Sequence, residues 1–135
     1  MKASTYYYED ESPFFGRLEE TRGDGAWCAS TRDDKTDYLQ VDMGQMYFVC
    51  GVATQGQRIG DYWTNSYKLQ FSMYGDSYDF YMENGNSPKV FTGNVDRDSV
   101  VQNDLKNDVE ARYVRFLPED SDNWPCLRVE IFVRK

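Results

Sequence analysis

Alternation of apolar and polar residues with a period of two is the main pattern along this chain. It is clearest at residues 38–43, 67–71, 112–116 and 127–131, where every second side chain is apolar. Successive side chains of a β-strand point to opposite faces, so the pattern predicts strands with one face buried. The apolar run at 47–52 predicts a further strand, and no stretch has the length and period of an amphipathic helix.

Turn signals separate these segments at 23–25, 74–76, 84–86 and 93–94, where glycine stands beside Asn, Asp or an aromatic residue. We expect 76–79 and 84–86 to be connections at a solvent-exposed edge. Many short strands with polar turns indicate a β-sandwich or jelly roll. The first thirty residues lack a regular pattern and are predicted to be mostly loops, where binding residues gather on a rigid sandwich.

Composition and charge narrow the classes of partner. The length of 135 residues fits one domain, and aromatic residues, 16% of the chain, can bury a core. No run approaches the roughly 18 apolar residues that span a bilayer. The residues that follow Met1 and Lys2 do not form the apolar stretch of a signal peptide. The net charge of −8 argues against nucleic acid and, less strongly, against anionic membranes. It favours cationic partners or bound cations.

Three cysteines, at positions 28, 50 and 126, leave one thiol without a partner inside the chain. Cys50 lies within the apolar run at 47–52, so we interpret it as a small, buried core residue with a free thiol. Cys28 and Cys126 are then the natural pair, although the sequence alone allows three pairings.

Several segments, in this order, resemble discoidin domains, which are also called coagulation factor V/VIII type C domains. They are Gly-Arg-Leu-Glu at 16–19, Gly-Asp-Gly-Ala-Trp-Cys at 23–28, and the stretches at 38–44, 52–56, 66–72, 93–97, 111–116 and 126–131. The similarity covers essentially the whole chain. It implies an all-β, eight-stranded jelly-roll β-sandwich, one domain over residues 1–135, with ligand-binding loops at one end. It also implies a Cys28–Cys126 disulfide.

The resemblance also bears on the surroundings of the domain. Most relatives bridge a cysteine near each terminus, and both of these are missing here. We therefore expect a domain that is trimmed at its N-terminus and belongs to a larger secreted or membrane protein, at the cell surface or outside the cell. The motifs at 16–28 and 126–130 resemble collagen-binding receptor tyrosine kinases, whereas the short segment at 54–72 resembles neurexin-like and milk-fat-globule adhesion proteins.

Loop one, residues 6–14, holds the first candidate ligand-binding residues, Tyr7 and Tyr8. Coagulation-factor relatives insert apolar residues of this loop into membranes, but here Glu9, Asp10 and Glu11 follow and would be repelled by anionic lipid. Collagen receptors carry a ligand-contacting Trp where Tyr7 falls. Tyrosine combines an apolar face with a hydroxyl and suits protein or sugar contact. Tyrosines that merely cover the end of the sandwich are an equal alternative.

Charged candidates come from loop two, which contains residues 22–24, and from loop three, residues 57–63. Arg22-Gly23-Asp24 is an integrin-type tripeptide, but we rank a family turn first, Asp24 as a ligand carboxylate second and integrin binding third. In loop three Arg58 and Asp61 are candidates. Gln57 takes the place where collagen receptors carry an Arg, and this difference weakens the expectation of collagen specificity.

Two tryptophans complete the set. Relatives carry a packing Trp at the position of Trp63. Trp124, beside the expected disulfide, is either an exposed binding anchor or buried against the sulfur atoms. We expect Tyr7, Asp24, Arg58 and Trp124 to converge at one end of the sandwich.

These residues favour a binding module over an enzyme. The chain has no His, so the commonest general base and zinc ligand is absent. Asp96 and Asp98 offer oxygen ligands for Ca²⁺, although their spacing is not that of an EF-hand loop, and no other cofactor is expected. The expected function is recognition of an extracellular protein, collagen being one candidate. The alternative is binding of galactose-type sugars, and phospholipid is a weaker one.

Overall fold

The computed structural model describes residues 1–83 and 85–134. Its strands are β1 (Lys2–Ala3), β2 (Trp27–Cys28), β3 (Leu39–Gln55), β4 (Trp63–Ser72), β5 (Asp79–Phe80), β6 (Phe91–Thr92), β7 (Val101–Asp122) and β8 (Cys126–Arg134). Two short 3₁₀ turns, Glu9–Glu11 and Pro13–Phe15, lie in the first loop region. The chain is therefore the predicted eight-stranded all-β jelly roll, and every strand predicted from alternation falls within β3, β4, β7 or β8.

Antiparallel pairing joins the strands in the order β2-β8-β3-β7-β4-β5, with β1 added to β3 and β6 added to β4. The two longest strands, β3 and β7, pair with each other along most of their length, with register shifts between Asp42 and Tyr47 and between Val49 and Gly51. Such bulges bend a strand, which allows one long strand to serve both layers of a sandwich.

The core is formed by the apolar faces that alternation predicted. Leu39, Tyr67, Leu69 and Phe116 are completely buried, and the ring of Tyr67 stacks on that of Phe91 with centroids 5.4 Å apart. Burial raises the pKa of Tyr67 to about 12. The aromatic residues thus supply much of the buried surface that holds the two layers together.

The cysteines behave as predicted in their pairing but not in their burial. Cys28 and Cys126 form a disulfide between neighbouring positions of β2 and β8. Cys50 is a free thiol, but it is only half-buried, so its prediction as a core residue was wrong. The reason is the register shift between Val49 and Gly51, which sets Cys50 in the bulge, where its sulfur lies 3.4 Å from the Phe132 carbonyl oxygen.

The connection expected at residues 76–79 lies at an edge of the sheet but is shorter than expected. Asp76 and Ser77 are exposed, but Asp79 begins β5 on the edge of the sheet. In the turn at 84–86, Asn84 lies outside the described residues. Within the described part of the chain, no helix has the length and apolarity needed to cross a membrane.

Strand β4 runs between two ends of the molecule that matter for function. Trp63 begins the strand beside loop three, and Ser72 ends it as the tenth residue. At about 3.3 Å per residue, the strand separates the two ends by roughly 30 Å. We call the end near Trp63 the loop end and the end near Ser72 the far end.

Candidate functional site

The loop end contains an open cleft of about 860 Å³. Its lining comes from loop one, loop two, loop three, the segment before β7 and the β7–β8 turn. The lining residues are Tyr7, Tyr8, Glu11, Asp24, Gln57, Ile59, Gly60, Asp61, Tyr62, Arg97, Asn123, Trp124 and Cys126. Five predicted site residues, Tyr7, Tyr8, Asp24, Asp61 and Trp124, are therefore brought together.

Two aromatic rings form the apolar wall of this cleft. Tyr7 is 57% exposed, and its ring meets that of Trp124 edge to face, with centroids 5.3 Å apart and an angle of 73° between the planes. A backbone hydrogen bond of 3.0 Å from Tyr7 to the Cys28 carbonyl oxygen fixes loop one beside the disulfide. The wall thus presents an exposed tyrosine on a fixed backbone.

Trp124 combines both roles that the sequence left open. Its indole N–H donates to the carbonyl oxygen of Ala29 over 2.7 Å, and the ring packs against the disulfide and Ala26. It is nevertheless only half-buried, and its remaining surface faces the cleft beside Tyr7. Trp124 is therefore a wall residue that also covers the disulfide.

The floor of the cleft is acidic and ordered by hydrogen bonds. The Glu11 carboxylate is 7% exposed and accepts a hydrogen bond of 2.7 Å from the side-chain amide of Gln57. The Tyr8 hydroxyl donates to the Asp24 carboxylate, which raises the pKa of Tyr8 well above its ordinary value. Burial, followed by hydrogen bonding with Asp24, raises the pKa of Glu11 to about 7. The floor therefore presents carboxylate oxygens to a cationic or hydroxyl-bearing group, and Glu11 gains a proton as the pH falls below about 7.

Glycine allows loops two and three to meet below the floor. Gly25 has a φ of +73°, and a side chain there would collide with the Cβ of Arg58. The amide of Arg58 donates to the Gly25 carbonyl oxygen over 3.3 Å. Gly23 also has a positive φ, of 57°, so the predicted glycine turn is confirmed.

The integrin-type tripeptide does not present an exposed Asp carboxylate. Arg22 is paired with Glu20 over 2.8 Å, and Asp24 is buried, 9% exposed, and bonded to Tyr8. This geometry supports the turn and cleft-floor interpretations of Asp24.

Arg58 and Asp61 occupy different positions at the rim. The Arg58 side chain is exposed next to loop two and does not line the cleft, whereas its neighbour Ile59 does. Asp61 lines it and pairs with Arg97 over 2.8 Å, while the Asn123 side-chain amide donates to the Asp61 backbone carbonyl oxygen over 2.5 Å. The rim therefore offers a polar network that includes one ion pair.

Sequence reasoning missed two residues of the floor. Glu11 belonged to a run of acids that we considered only for its repulsion of anionic lipid, but the 3₁₀ turn Glu9–Glu11 directs it inward. Gln57 was noted only as a departure from a family position, yet it is 1% exposed and holds Glu11. Its position two residues after the end of β3 at Gln55 was the one available signal.

One buried cation holds the segments that support the cleft. Arg128 is 2% exposed and donates to three backbone carbonyl oxygens, of Gly56 at 2.8 Å, Glu20 at 3.0 Å and Arg97 at 2.9 Å. It also pairs with Asp98 over 2.8 Å. Arg128 therefore links loop two, loop three and the segment before β7.

The expected calcium ligands are directed at groups of the chain itself. Asp96 accepts hydrogen bonds from the Ser99 amide and hydroxyl, which lower its pKa, and Asp98 pairs with Arg128. Within residues 1–83 and 85–134, no group of three or more His, Cys, Asp or Glu side chains is placed to hold a metal ion.

Trp63 packs closely on loop three. It is half-buried, and a side chain on Gly56 would lie 2.8 Å from the Cβ of Trp63.

Two known proteins resemble this chain, one in sequence and one in structure. A human protein, epithelial discoidin domain-containing receptor 1, is 35% identical over 138 residues, which is 98% of this chain and 15% of that receptor. The structure of discoidin II from Dictyostelium discoideum superposes with a TM-score of 0.88 at 24% identity, covering 98% of this chain and 53% of that one.

A third similarity is to a carbohydrate-binding module from Clostridium perfringens solved in complex with GalNAc-β-1,3-galactose. It has a TM-score of 0.72 at 12% identity and covers 98% of this chain and 93% of that one. At this identity the likeness concerns the fold. The family model of the F5/8 type C domain matches residues 1–131. With the disulfide, the jelly roll and the receptor similarity, this match shows that the chain belongs to the F5/8 type C, or discoidin, domain family.

Proposed function

We propose that this chain is an extracellular recognition module that binds a protein ligand in the cleft at the loop end. The observation that carries the proposal is the convergence of an exposed Tyr7, a half-buried Trp124 and the buried acids Glu11 and Asp24 in one cleft. Concave sites with aromatic walls and a few fixed polar groups are typical ligand sites. The disulfide supports an oxidising, extracellular environment.

The geometry of the aromatic wall favours protein over sugar. Tyr7 and Trp124 meet at 73°, so they form a step and not the flat platform on which a sugar ring stacks. The cleft is an open trench of about 860 Å³ bordered by five chain segments, which suits an extended chain or rod. An aliphatic ligand side chain would pack in the step between the two rings.

The electrostatics specify the polar part of the ligand. Among the residues that the structure describes, three acids, Glu11, Asp24 and Asp61, line the cleft, whereas Arg97 is the one basic residue in the lining and is paired with Asp61. We therefore propose that the ligand places a Lys, an Arg or a hydroxyl group over Glu11 and Asp24. Triple-helical collagen displays such groups beside apolar side chains along a rod, and it is the protein ligand to test first.

A galactose-type sugar is the second candidate. The exposed Tyr7, together with Asn123 and Asp61 in the lining of the same cleft, offers one ring for stacking and polar groups for sugar hydroxyls. The bacterial carbohydrate-binding module of the same fold gives this alternative its support. An anionic membrane fits less well, because the acids of the cleft would repel phosphate headgroups. Catalysis fits less well still, because the chain has no His and the floor acids are engaged by Tyr8 and Gln57.

The two ligand classes can be separated in one experiment. The chain is applied to a triple-helical collagen-peptide array and a glycan array under identical conditions, together with Tyr7→Ala and Tyr74→Ala. Tyr74 is 74% exposed at the far end, so Tyr74→Ala is a matched control. Our proposal expects binding to collagen peptides that is lost in Tyr7→Ala and kept in Tyr74→Ala. Binding to galactosides alone would select the second candidate, and binding unaffected by Tyr7→Ala would reject the cleft.

A further inference from the structure

The far end of the sandwich contains a second groove, of about 640 Å³, that has no part in the proposed function. It lies where β4 ends and the chain returns through β5, opposite a segment of β7. Its lining residues are Phe71, Ser72, Met73, Tyr74, Asp76, Ser77, Asp79, Phe80, Tyr81, Met82, Asn107, Val109 and Glu110. We propose that this groove is a second binding site, for a protein segment that carries Lys or Arg between apolar side chains.

The rim of the groove exposes apolar side chains to water. Tyr74 is 74% exposed, Met82 is 45% exposed and Met73 is 42% exposed. Grouped exposed apolar residues mark interaction sites more often than single ones do. Methionine is flexible and polarisable and adapts to varied apolar partners. The rim therefore suits an apolar protein surface.

The floor of the groove is rigid. Phe71 and Tyr81 are each 5% exposed and pack edge to face, with ring centroids 6.2 Å apart. The Tyr81 hydroxyl accepts hydrogen bonds from the amides of Lys106 at 3.1 Å and Asn107 at 3.3 Å. These bonds tie the β7 wall to the floor, so a ligand would enter a preformed site and order few side chains.

Charge specifies the partner. Asp76, Asp79 and Glu110 border the groove and are exposed, and among residues 1–83 and 85–134 no Lys or Arg lines it. Within the described residues, none of the three is in an ion pair, whereas acids elsewhere are paired, such as Asp42 with Arg112. An apolar groove edged by unpaired carboxylates is complementary to a segment in which basic and apolar side chains alternate.

The position of the groove makes its function separable from that of the cleft. The two sites lie at opposite ends of β4, roughly 30 Å apart for a strand of this length. A partner in the groove would leave the cleft free, and one domain could join two ligands. Substitutions in the groove should accordingly leave ligand binding in the cleft unchanged.

The test uses an isotope-labelled chain and two synthetic peptides, one alternating Leu with Lys and one alternating Leu with Glu. The Lys peptide should shift the backbone amide resonances of residues 71–82 and 107–110. The variant Asp79→Lys/Glu110→Lys should bind it about tenfold more weakly or worse and should gain affinity for the Glu peptide. Shifts that are spread over the surface, or centred on the cleft, would overturn the proposal.

A matched control separates local from general attraction, because the chain as a whole is acidic. Asp33→Lys/Asp120→Lys makes the same change in net charge at two exposed positions outside the groove. It should retain most of the affinity. Equal losses in both variants, or none in either, would contradict a local site.

Two further readouts cover folding and self-association. The apolar variants Tyr74→Ser and Met82→Ser should also weaken binding of the Lys peptide while the melting temperature stays unchanged. If the groove instead binds a second copy of this chain, sedimentation would show a dimer that these variants dissociate. That result would contradict the proposed partner.

Discussion

Replacing Arg128 by Met is the change whose effect on stability follows most directly from the structure. Methionine keeps an unbranched apolar stem of similar length but has no donor. The substitution removes three hydrogen bonds to the carbonyl oxygens of Gly56, Glu20 and Arg97, and one ion pair with Asp98. Because Arg128 is 2% exposed, all of these interactions are lost from a buried site.

The magnitude comes mainly from the three carbonyl groups. A buried acceptor left without a donor costs about 1–3 kcal/mol, and partial hydration of loop backbone places these three near the lower limit. Asp98 is 67% exposed, so the loss of its partner leaves no buried charge and contributes little. We expect Arg128→Met to lower the free energy of unfolding by about 3–4 kcal/mol. A typical domain has about 5–15 kcal/mol, so the variant should still fold.

Chemical denaturation with the disulfide intact measures this loss. The control is Arg112→Met, because Arg112 pairs with Asp42 across the surface, its side chain is 39% exposed, and it donates to no backbone carbonyl of the described residues. Its loss should cost about 0–1 kcal/mol. The reasoning would be refuted by an Arg128→Met variant whose free energy of unfolding lies within about 1 kcal/mol of the control.

Three further predictions concern pH, the cysteines and membranes. The pKa of Glu11 is raised from 4.5 to about 7, so the folded state binds the proton more tightly and stability should fall as pH rises between these values. Glu11→Gln should therefore flatten the dependence of the melting temperature on pH in that window, and an unchanged slope would contradict this. Cys28→Ser/Cys126→Ser removes a link between positions 98 apart and should lower the free energy of unfolding by about 3–5 kcal/mol. Cys50→Ser should lower it by about 1 kcal/mol or less. Peptide mapping that finds Cys50 in an intramolecular bridge would overturn the pairing. Phosphatidylserine vesicles should bind negligibly at physiological salt, and sub-micromolar binding without added Ca²⁺ would show that the repulsion by the cleft acids is misjudged.

The fold could be predicted because its information is local and repeated. Period-two alternation in β3, β4, β7 and β8 fixes which face is buried, and it does not depend on knowing which strand pairs with which. The bulge at Cys50 could not be predicted in this way, because it arises where β3 must match β7 and β8 together. An apolar run therefore indicated a core position that the register shift moved to the half-exposed bulge.

The candidate site could likewise be predicted only in part. The convergence of Tyr7, Asp24 and Trp124 was predictable from the family resemblance, since the jelly roll brings these loops together. The inward direction of Glu11 was not, because a run of acids in a loop is normally solvated. A single 3₁₀ turn, closed by local hydrogen bonds, and the amide of Gln57 reverse that expectation. The Gln57 contact joins segments 46 residues apart, which no local pattern shows.

The central claim is that the cleft at the loop end binds a protein ligand, and paired measurements of affinity and melting temperature on Tyr7→Ala test it most directly. With the best collagen peptide from the array, Tyr7→Ala should lose about 2 kcal/mol of binding, or roughly 30-fold in affinity. Tyr7 is 57% exposed, so the melting temperature should stay that of the wild type, and Tyr74→Ala should bind normally. Undiminished binding by a folded Tyr7→Ala variant would contradict the account.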